Sequence, residues 1–374
     1  MKHFSSYWER SVLLRKFDFL VLGAGLIGKQ IALKLQAKFP NARIGIVDRS
    51  PISYGASTRN AGFACFGSVS EILDDFKRSP QHEVMSLLNK RFQGIQQLVQ
   101  TFGADQIGYR NTGSYEIYTE QEEYQDARNH FQTINQLIQD YTGQSNAFQW
   151  QKSETLQMAC FEDCLFNPLE GMINSGMLNE TISELTHKAG IIPLYGINIT
   201  SLNKDANGYT LLADNNLSLS CSQLIIATNA FSSQLLPELD VVPARGQIIL
   251  TKPIADLPFD GIFHNDKGYI YFRNIDDRVL LGGARNYFEA EETTYDFEGS
   301  SANFEHLKNY MQEVILPGRS FEIDMHWSGI MAMGEEKIPI VKKVDEYMTL
   351  CVRMSGMGVA LGPVLSDEVV ALFA

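Results

Sequence analysis

The sequence has few cysteines, and their spacing argues against two kinds of site. Five are scattered over 374 residues: Cys65, Cys160, Cys164, Cys221 and Cys351. An odd, dispersed set in a long chain is typical of reduced thiols and not of a disulfide framework. Cys160 and Cys164 could approach each other on a helix, but no histidine or second cysteine pair accompanies them. We therefore predict no metal site.

Long apolar runs are missing as well. The run from Phe17 to Ile27 is well short of the ~20 residues that a helix needs to cross a bilayer. Residues 1–16 contain Glu9, Arg10 and Arg15 and no continuous apolar stretch of the kind that forms a secretory signal. We expect no integral membrane segment and a cytoplasmic location.

Positive charge is scarce, with 31 lysines and arginines against 44 acidic residues and a net charge of −13. A nucleic-acid partner requires a basic face, so we predict no nucleic-acid binding. The hydrophobic fraction of 44% and the charged fraction of 20% are ordinary for a soluble globular protein. A chain of this length exceeds what a single core usually holds, which favours two domains.

A glycine fingerprint stands near the start of the chain. The short apolar run of residues 17–22 predicts a buried strand, and Gly23, Gly25 and Gly28 follow it directly. Apolar residues at helical spacing then predict a helix over residues 29–39, and residues 43–47 predict a second strand that Asp48 closes. Strand, glycine turn, helix and strand form a βαβ unit that binds a dinucleotide.

Each residue of this fingerprint has a physical role. Gly23 permits a tight turn, Gly25 lets the backbone approach a pyrophosphate, and Gly28 lets the helix pack on the strand. The free amide groups at the helix N-terminus attract the negative charge. Asp48, twenty residues after Gly28, is placed to accept a hydrogen bond from a ribose hydroxyl.

The remaining pattern alternates between helices and strands. Residues 70–144 are mostly helical with a strand at 113–118, residues 178–189 predict another helix, and residues 191–220 predict a hairpin with a turn at Asn207-Gly208. Residues 224–228 predict a buried strand. Residues 246–250, 269–272 and 279–281 predict an antiparallel sheet. Residues 348–353 predict a last strand, followed by a glycine loop at 355–363 and a helix from about Ser366.

The glycine loop at 355–363 could bring backbone amides against a flavin ring, whose reduced form is electron-rich. At this point the chain resembles the D-amino-acid oxidase and glycine oxidase superfamily of flavoproteins, the DAO family. The segments that resemble the family occur in the same order over nearly the whole chain: 23–28 with Asp48, 55–62, 199–202, 227–230, 243–247, 327–329 and 356–358.

The resemblance implies FAD as a non-covalently bound cofactor. It also implies a set of cofactor contacts: Gly23, Gly25, Leu26, Ile27, Gly28, Asp48, Arg49, Ser57, Thr58, Arg59, Asn60, Ala61, Ile199, Ala227, Thr228, Asn229, Trp327, Gly329, Gly356, Met357, Gly358 and Val359. The reaction that it implies is oxidation of a C–N bond in a small amine or amino acid by hydride transfer to flavin N5. The imine then hydrolyses, and oxygen or an unknown carrier accepts the electrons.

The chain departs from the family where the substrate carboxylate would bind. The resemblance implies that family members acting on α-amino acids have an arginine two residues after the glycine of the Trp-x-Gly segment. In this chain that position is Met331. Substitute arginines are Arg273, Arg285 and Arg353, of which we favour Arg285. Met331, Met333, Met354 and Met357 would instead suit an amine with a hydrophobic body, or are ordinary core residues.

Tyr269 resembles the substrate-sheet tyrosine of the family, and strand alternation would turn Tyr271 to the opposite face. Tyr269, Arg285 and Met331 are therefore the predicted substrate-site residues. Two alternatives stay open: an enzyme that removes an N-alkyl group from a secondary amine, and a non-catalytic flavin-binding protein that has lost its arginine anchors.

The predicted fold class is α/β. It has a Rossmann-like FAD-binding domain interleaved with an α+β substrate domain that is built on a mixed, mostly antiparallel sheet. We expect the FAD-binding domain to comprise residues 1–75, 151–236 and 326–374. The substrate domain would comprise residues 76–150, which are mostly helical, and the sheet of residues 237–325.

Overall fold

The structure is a computed structural model that describes residues 6–373. Its strands in chain order are β1 (Phe17–Leu22), β2 (Ile44–Asp48), β3 (Phe63–Ala64), β4 (Ser114–Glu116), β5 (Gln149–Lys152), β6 (Asp163–Asn167), β7 (Gly171–Met172), β8 (Ile192–Tyr195), β9 (Ile199–Asp205), β10 (Gly208–Ala213), β11 (Ser218–Ile226), β12 (Val242–Thr251), β13 (Ile262–Asn265), β14 (Ile270–Ile275), β15 (Arg278–Gly283), β16 (Ile323–Met333), β17 (Ile340–Lys343) and β18 (Met348–Val352).

The α-helices in chain order are α1 (Leu26–Lys38), α2 (Ala56–Arg59), α3 (Val69–Phe76), α4 (Gln81–Phe102), α5 (Gln121–Thr142), α6 (Ser175–Lys188), α7 (Ser232–Leu235), α8 (Glu289–Glu292), α9 (Ser301–Tyr310) and α10 (Gly358–Ala371). No helix within residues 6–373 is long and apolar enough to cross a membrane.

The described chain divides into two compact units. Unit 1 contains residues 6–58, 176–243 and 331–373, and unit 2 contains residues 59–175 and 244–330. The predicted boundaries at 75/76 and 150/151 both fall inside unit 2. Residues 59–75 and 151–175 form β3, α3, β6 and β7, and these elements pair or pack with others of unit 2.

The sheet of unit 1 is a parallel Rossmann-like sheet with antiparallel additions. Its strands lie in the order β17-β18-β11-β1-β2-β8, and β18, β11, β1, β2 and β8 are parallel. Five of the six residues of β1 and four of the five of β2 are buried, as a parallel strand covered on both faces requires. The predicted βαβ unit is therefore present, with α1 between β1 and β2.

Residues 191–220 differ in part from the predicted hairpin. The hairpin of β9 and β10 turns at Ala206 and Asn207, as the Asn-Gly pair indicated. Residues 192–195, however, form the separate strand β8, which pairs in parallel with β2. The prediction missed this strand because its residues alternate between half-buried and exposed positions and resemble half of a hairpin.

The C-terminal helix begins earlier than predicted. We expected a glycine loop before a helix from about Ser366, but α10 starts at Gly358 and contains Pro363. It packs on α1, where a Cβ on Gly362 would lie 2.6 Å from the side-chain nitrogen of Gln30, and Lys34 Nζ donates to the Pro363 carbonyl at 2.7 Å. This packing stabilises a helix that glycine and proline disfavour locally.

Unit 2 is built on a mixed, mostly antiparallel sheet in the order β16-β12-β15-β14-β13-β4-β6-β5. Only β13 and β4 pair in parallel among the strand pairs whose register is described. One face packs on α9 through a core that includes Phe263, Phe272 and Leu281. The other face carries Tyr271, Ile248 and Leu280. The predicted fold class is confirmed.

Candidate active site

The carboxyl ends of the parallel strands of unit 1 meet at one edge of the sheet. Gly23 follows β1, Asp48 ends β2, Ala227 follows β11 and Arg353 follows β18. In open α/β sheets this edge, near the point where the strand order reverses, is where ligands bind. Predicted contact residues from the start, middle and end of the sequence therefore come together in one unit.

The glycine turn after β1 leaves no room for side chains. Gly23 has a φ of +111°, and a Cβ there would lie 2.5 Å from the Ala227 carbonyl oxygen. A Cβ on Gly28 would lie 1.9 Å from the Gly23 carbonyl oxygen, so α1 can pack on β1 only with glycine at this position. Gly25 has an extended backbone, and a Cβ there would meet only Ser57 Oγ, at 2.9 Å.

Side chains beside the turn complete its hydrogen bonds. Ala24 N donates to Asp48 Oδ2 at 2.7 Å, and Leu26 N donates to Ser57 Oγ at 2.9 Å. Thr58 Oγ1 donates to the Ser53 carbonyl at 2.7 Å. The N-cap residue Gly25 has no side chain to cap α1, so the dipole and the remaining amides of the first turn, which includes Ile27, are available to an anion.

A second contact joins the ends of β11 and β18. Met354 N donates to Asn229 Oδ1 at 3.2 Å, and Asn229 has a φ of +47°. Thr228 Oγ1 and Ser355 Oγ are buried and have no hydrogen-bond partner among the described residues. Buried hydroxyls without a partner are uncommon, which makes these two candidate ligand contacts.

The other predicted contacts of unit 1 surround this edge. Arg49 Cζ lies 3.8 Å from the centroid of the Phe231 ring, and Ile199 begins β9. Met357, Gly358 and Val359 form the start of α10, whose N-terminus has no side-chain cap. Met331 belongs to this group, because its Sδ lies 3.6 Å from the position of a Cβ on Gly356.

Five predicted cofactor contacts lie in unit 2 and form a separate group. Trp327 Nε1 donates to the Arg59 carbonyl at 3.1 Å, and Arg59 Nη1 donates to the Ser328 carbonyl at 2.7 Å. Ala61 packs in the same apolar cluster as Trp327. Asn60 Oδ1 accepts from Gly62 N at 2.9 Å, and Gly329 lies two residues beyond Trp327 in β16.

The family is decided by comparison with known proteins. The sequence profile described as "DAO: FAD dependent oxidoreductase" matches residues 18–372. The chain belongs to this family. A comparison with curated proteins finds no match.

Solved structures with the same fold cover almost the whole chain. Glycine oxidase from Geobacillus kaustophilus is 19% identical with a TM-score of 0.77, and the match covers 96% of this chain and 95% of that one. L-proline dehydrogenase from P. horikoshii is 15% identical with a TM-score of 0.76, covering 96% and 94%. L-alpha-glycerophosphate oxidase from Mycoplasma pneumoniae is 14% identical with a TM-score of 0.74, covering 96% and 94%.

The carboxyl edge of unit 1 fits the FAD that the DAO family implies. Gly25 has no side chain to stand between the turn and a pyrophosphate, and Asp48 keeps carboxylate lone pairs beyond its two bonds to the Ala24 and Ser50 amides. The unpartnered hydroxyls of Thr228 and Ser355 offer further hydrogen bonds. The group of donors and acceptors at this edge therefore suits a dinucleotide.

On the sheet of unit 2, the positions of Tyr269 and Tyr271 relative to the strand differ from those that strand alternation predicts. Tyr269 precedes β14 and has helical backbone angles, so the alternation rule does not apply to it. Tyr271 lies within β14, on the face that carries Ala61 and Trp327. The geometry thus favours Tyr271 as the tyrosine of this face over Tyr269, the residue that the family resemblance predicts.

Two glycines that shortly precede Arg285 lie against Tyr271 and Tyr269. A Cβ on Gly282 would lie 2.6 Å from Cε2 of Tyr271, and a Cβ on Gly283, whose φ is +117°, would lie 1.8 Å from the Tyr269 carbonyl oxygen. Arg285 Cζ lies 5.9 Å from the Tyr269 ring centroid. Burial raises the pKa of Tyr271 to about 12, and the nearby charge of Arg285 opposes that rise.

The three substitute arginines have different surroundings. Arg353, in unit 1, is paired with the carboxylate of Asp240. Arg273 donates to the carbonyls of Gly62 at 2.7 Å and Ile173 at 2.8 Å. The guanidinium of the half-buried Arg285 makes no hydrogen bond or ion pair with any residue that the structure describes.

Two further residues of unit 2 were not predicted. His264 lies in β13 directly opposite Tyr271, and Glu170 lies just before β7. Both side chains are buried, and each has a polar atom without a partner among the described residues. The sequence gives little sign of either: a histidine in an apolar strand and a glutamate beside a glycine look like ordinary polar positions.

Proposed function

We propose that this chain is an FAD-dependent enzyme that oxidises the Cα–N bond of an α-amino acid whose carboxylate Arg285 binds. The observation that carries the proposal is the guanidinium of Arg285, which has no carboxylate partner among the described residues, lies 5.9 Å from the centroid of the Tyr269 ring and has a charge that acts on Tyr271. A half-buried arginine without a counter-ion suits a substrate anion.

Tyr271 supports the same assignment. Because burial raises its pKa to about 12, the hydroxyl keeps its proton at neutral pH and can donate a hydrogen bond. Arg285 and Tyr271 together provide a charged fork and a neutral donor, which suit the two oxygens of one carboxylate. In this proposal Arg285 takes the role of the arginine that Met331 replaces.

The residues of unit 1 would hold the cofactor. Gly23, Gly25 and the N-terminus of α1 would bind the pyrophosphate, Asp48 would bind the ribose, and Thr228 would add a hydroxyl contact. Bound FAD supplies the hydride acceptor. Unit 1 would thus be the FAD domain and unit 2 the substrate domain, and the final electron acceptor is oxygen or another carrier.

The names of similar structures support an amino-acid substrate. Glycine oxidase, L-proline dehydrogenase and L-amino acid deaminase share this fold, and each name is that of an enzyme acting on an amino acid. L-alpha-glycerophosphate oxidase shares it too. An arginine fork binds phosphate as well as carboxylate, so glycerol 3-phosphate is the second candidate substrate.

Anaerobic flavin reduction tests the proposal. The FAD-loaded chain is mixed with glycine, N-methylglycine, both enantiomers of alanine and of proline, and glycerol 3-phosphate, and the oxidised flavin absorption is followed. We expect at least one amino acid to bleach the flavin. Bleaching by glycerol 3-phosphate alone would favour the second candidate, and lasting colour with every compound would contradict both.

Substitution of Arg285 tests how the substrate is bound. In Arg285→Met, the half-saturating concentration of the fastest amino acid should rise about 10- to 100-fold, because one charge-assisted pair contributes roughly 1.5–3 kcal/mol. The half-saturating concentration of the corresponding amine, which has the same side chain but no carboxylate, should not change. Arg278, in the preceding strand β15, pairs with Asp324, and Arg278→Met should behave like the wild type.

A further inference from the structure

His264 and Glu170 form a buried pair that the proposed substrate binding does not use. His264 is 6% exposed and Glu170 is 1% exposed. His264 Nε2 and Glu170 Oε2 lie 3.9 Å apart, too far for a hydrogen bond, and neither atom has a partner among the described residues. A polar group left unpaired in the interior destabilises the folded chain, so this arrangement needs an explanation.

The pair lies on the sheet face that carries Tyr271. In register across the strands, Glu116 of β4 is opposite His264 of β13, and His264 is opposite Tyr271 of β14. The ring of Phe63 contacts both, with centroids 5.4 Å from His264 and 5.8 Å from Tyr271. Directly opposite residues point to the same side of a sheet, so the pair is next to the proposed substrate site.

The Glu170 carboxylate lies beside the Ser114 hydroxyl, and its Oε1 is held by two backbone amides. Its Oε1 accepts from Phe66 N at 2.6 Å and from Gly67 N at 3.3 Å. Those bonds fix the carboxyl group with Oε2 toward His264. One added proton, on either atom, would turn the 3.9 Å approach into a hydrogen bond after a small movement.

The protonation states near neutral pH are favourable for proton uptake. Burial raises the pKa of Glu170 to about 7 and lowers the pKa of His264 to about 4. The groups around the pair are Cys65, Glu71, Arg91, Tyr109, Glu116 and Tyr271. Glu71 pairs with Arg91 at 3.2 Å, and Glu116 is held by the amides of Val69 and Ser70.

The proposed reaction requires a proton acceptor. An amino acid arrives with its nitrogen as an ammonium group, and the Cα hydride can leave only when the nitrogen lone pair is free. One N–H bond must break first, with its electron pair staying on nitrogen and its proton going to the protein or to water. We propose that His264 and Glu170 together accept this proton. The inference rests on the proposed function.

Once the proton is on the pair, the nitrogen lone pair is free to form the C=N bond as the Cα–H bond breaks, and bound FAD would supply the acceptor for the hydride. The substrate would be oxidised by two electrons and the bound flavin would be reduced by two, while the proton stays between His264 and Glu170 until it returns to solvent. When the pair holds the proton, His264 and Glu170 share a charge-assisted hydrogen bond. This bond offsets the unfavourable burial of two unpaired polar atoms in the unprotonated pair.

The kinetic test compares alanine with 3,3,3-trifluoroalanine, whose fluorine atoms keep the amine mostly neutral at pH 7. Flavin reduction is followed anaerobically from about pH 6 to about pH 10 in the wild type, His264→Gln and Glu170→Gln. With alanine, both variants should be about 100-fold slower at pH 7 and should recover about two pH units higher. With trifluoroalanine, they should match the wild type.

A matched histidine variant controls for non-specific effects. His306 lies on α9 against the exposed ring of Tyr287, with centroids 4.9 Å apart, and belongs to no proposed site. His306→Gln should keep the wild-type pH profile. The inference is overturned if His264→Gln and Glu170→Gln also keep the wild-type pH profile. It is overturned as well if flavin reduction slows equally with alanine and with trifluoroalanine. If no amine bleaches the wild type, the proposed function fails instead.

Infrared difference spectra between about pH 6 and about pH 8 test the pair without any substrate. The wild type should show a protonated carboxyl band that disappears over this range, and Glu170→Gln should lack it. In His264→Gln, the pH at which the Glu170 carboxyl band disappears should shift. A wild-type spectrum without such a band would overturn the inference, whatever the kinetics show.

Discussion

Gly282 and Gly283 set the positions of the side chains on which substrate binding depends. The absent side chain of Gly282 makes room for the ring of Tyr271, and the positive φ of Gly283 lets the chain pass the Tyr269 carbonyl before Arg285. The sequence favours Arg285 because it follows a predicted strand that ends in Leu281-Gly282-Gly283. The choice between the tyrosines needed the structure, because Tyr269 lies one residue outside the strand.

Phenylalanine substitutions distinguish the two tyrosines. Tyr271→Phe should raise the half-saturating amino-acid concentration about 3- to 10-fold, since one hydrogen bond contributes about 1 kcal/mol. Tyr269→Phe should change it less, because Tyr269 offers Arg285 mainly its ring. Anaerobic flavin reduction at several substrate concentrations measures both. A larger effect of Tyr269→Phe would restore Tyr269 as the substrate residue.

Glu170 should also affect stability as the pH changes. Its pKa is raised by burial from 4.5 to about 7, so the folded state binds an extra proton between these values. The stability that this group contributes is present below about pH 4.5 and is lost as the pH rises through about 7, by roughly 3 kcal/mol. In Glu170→Gln this part of the pH dependence should vanish.

Urea unfolding at about pH 5 and about pH 8 measures this difference. Above pH 7, Glu170→Gln should be more stable than the wild type, which is unusual for a buried polar substitution and fits a group kept for its chemistry. Equal pH dependence in the two proteins would contradict the assignment.

At the scale of elements, a carboxylate in the turn between β17 and β18 joins this hairpin to β9 and β10. Asp345 Oδ2 accepts from the Tyr209 hydroxyl at 2.7 Å and lies 3.0 Å from Lys204 Nζ, while Oδ1 accepts from Tyr347 N at 2.8 Å. Burial alone would raise the pKa of Asp345, but these partners lower it to about 2.

Asp345→Asn should therefore destabilise the chain by about 2 kcal/mol at neutral pH. Because the folded-state pKa is depressed, the contribution of Asp345 is present above about pH 4 and is lost as the pH falls toward about 2. Urea unfolding against pH measures it. Asp214→Asn, at an exposed turn of the same sheet, is the control. An equal effect of both substitutions would contradict the role of Asp345.

Helices and strands could be predicted where neighbouring residues in the sequence determine them, and not where packing or pairing with distant elements does. The βαβ unit was predictable because a buried apolar strand, a glycine turn and a closing acid are all local signals. The start of α10 and the strand β8 were not, because packing on α1 and pairing with β2 decide them. His264 and Glu170 were missed because only the folded sheet brings them together.

At the scale of the whole molecule, the sequence order conceals which residues belong together. The chain passes between the two units four times, and the cofactor contacts from the start, middle and end of the sequence meet at the carboxyl edge of the sheet of unit 1. Interleaving was predictable from the recurrence of glycine-containing segments. The boundaries at 58/59 and 175/176 depend on β3, β7 and their pairing, which local patterns do not indicate.

The most direct test of the central claim is titration of the apoprotein with FAD, in the wild type and in Gly25→Val. Gly25 is extended, so valine fits the backbone, but its side chain would press on Ser57 Oγ and fill the space into which a pyrophosphate would come. We predict one FAD bound per wild-type chain and none in a folded Gly25→Val. A wild type that takes up no FAD, or a variant that binds it equally well, would contradict the account.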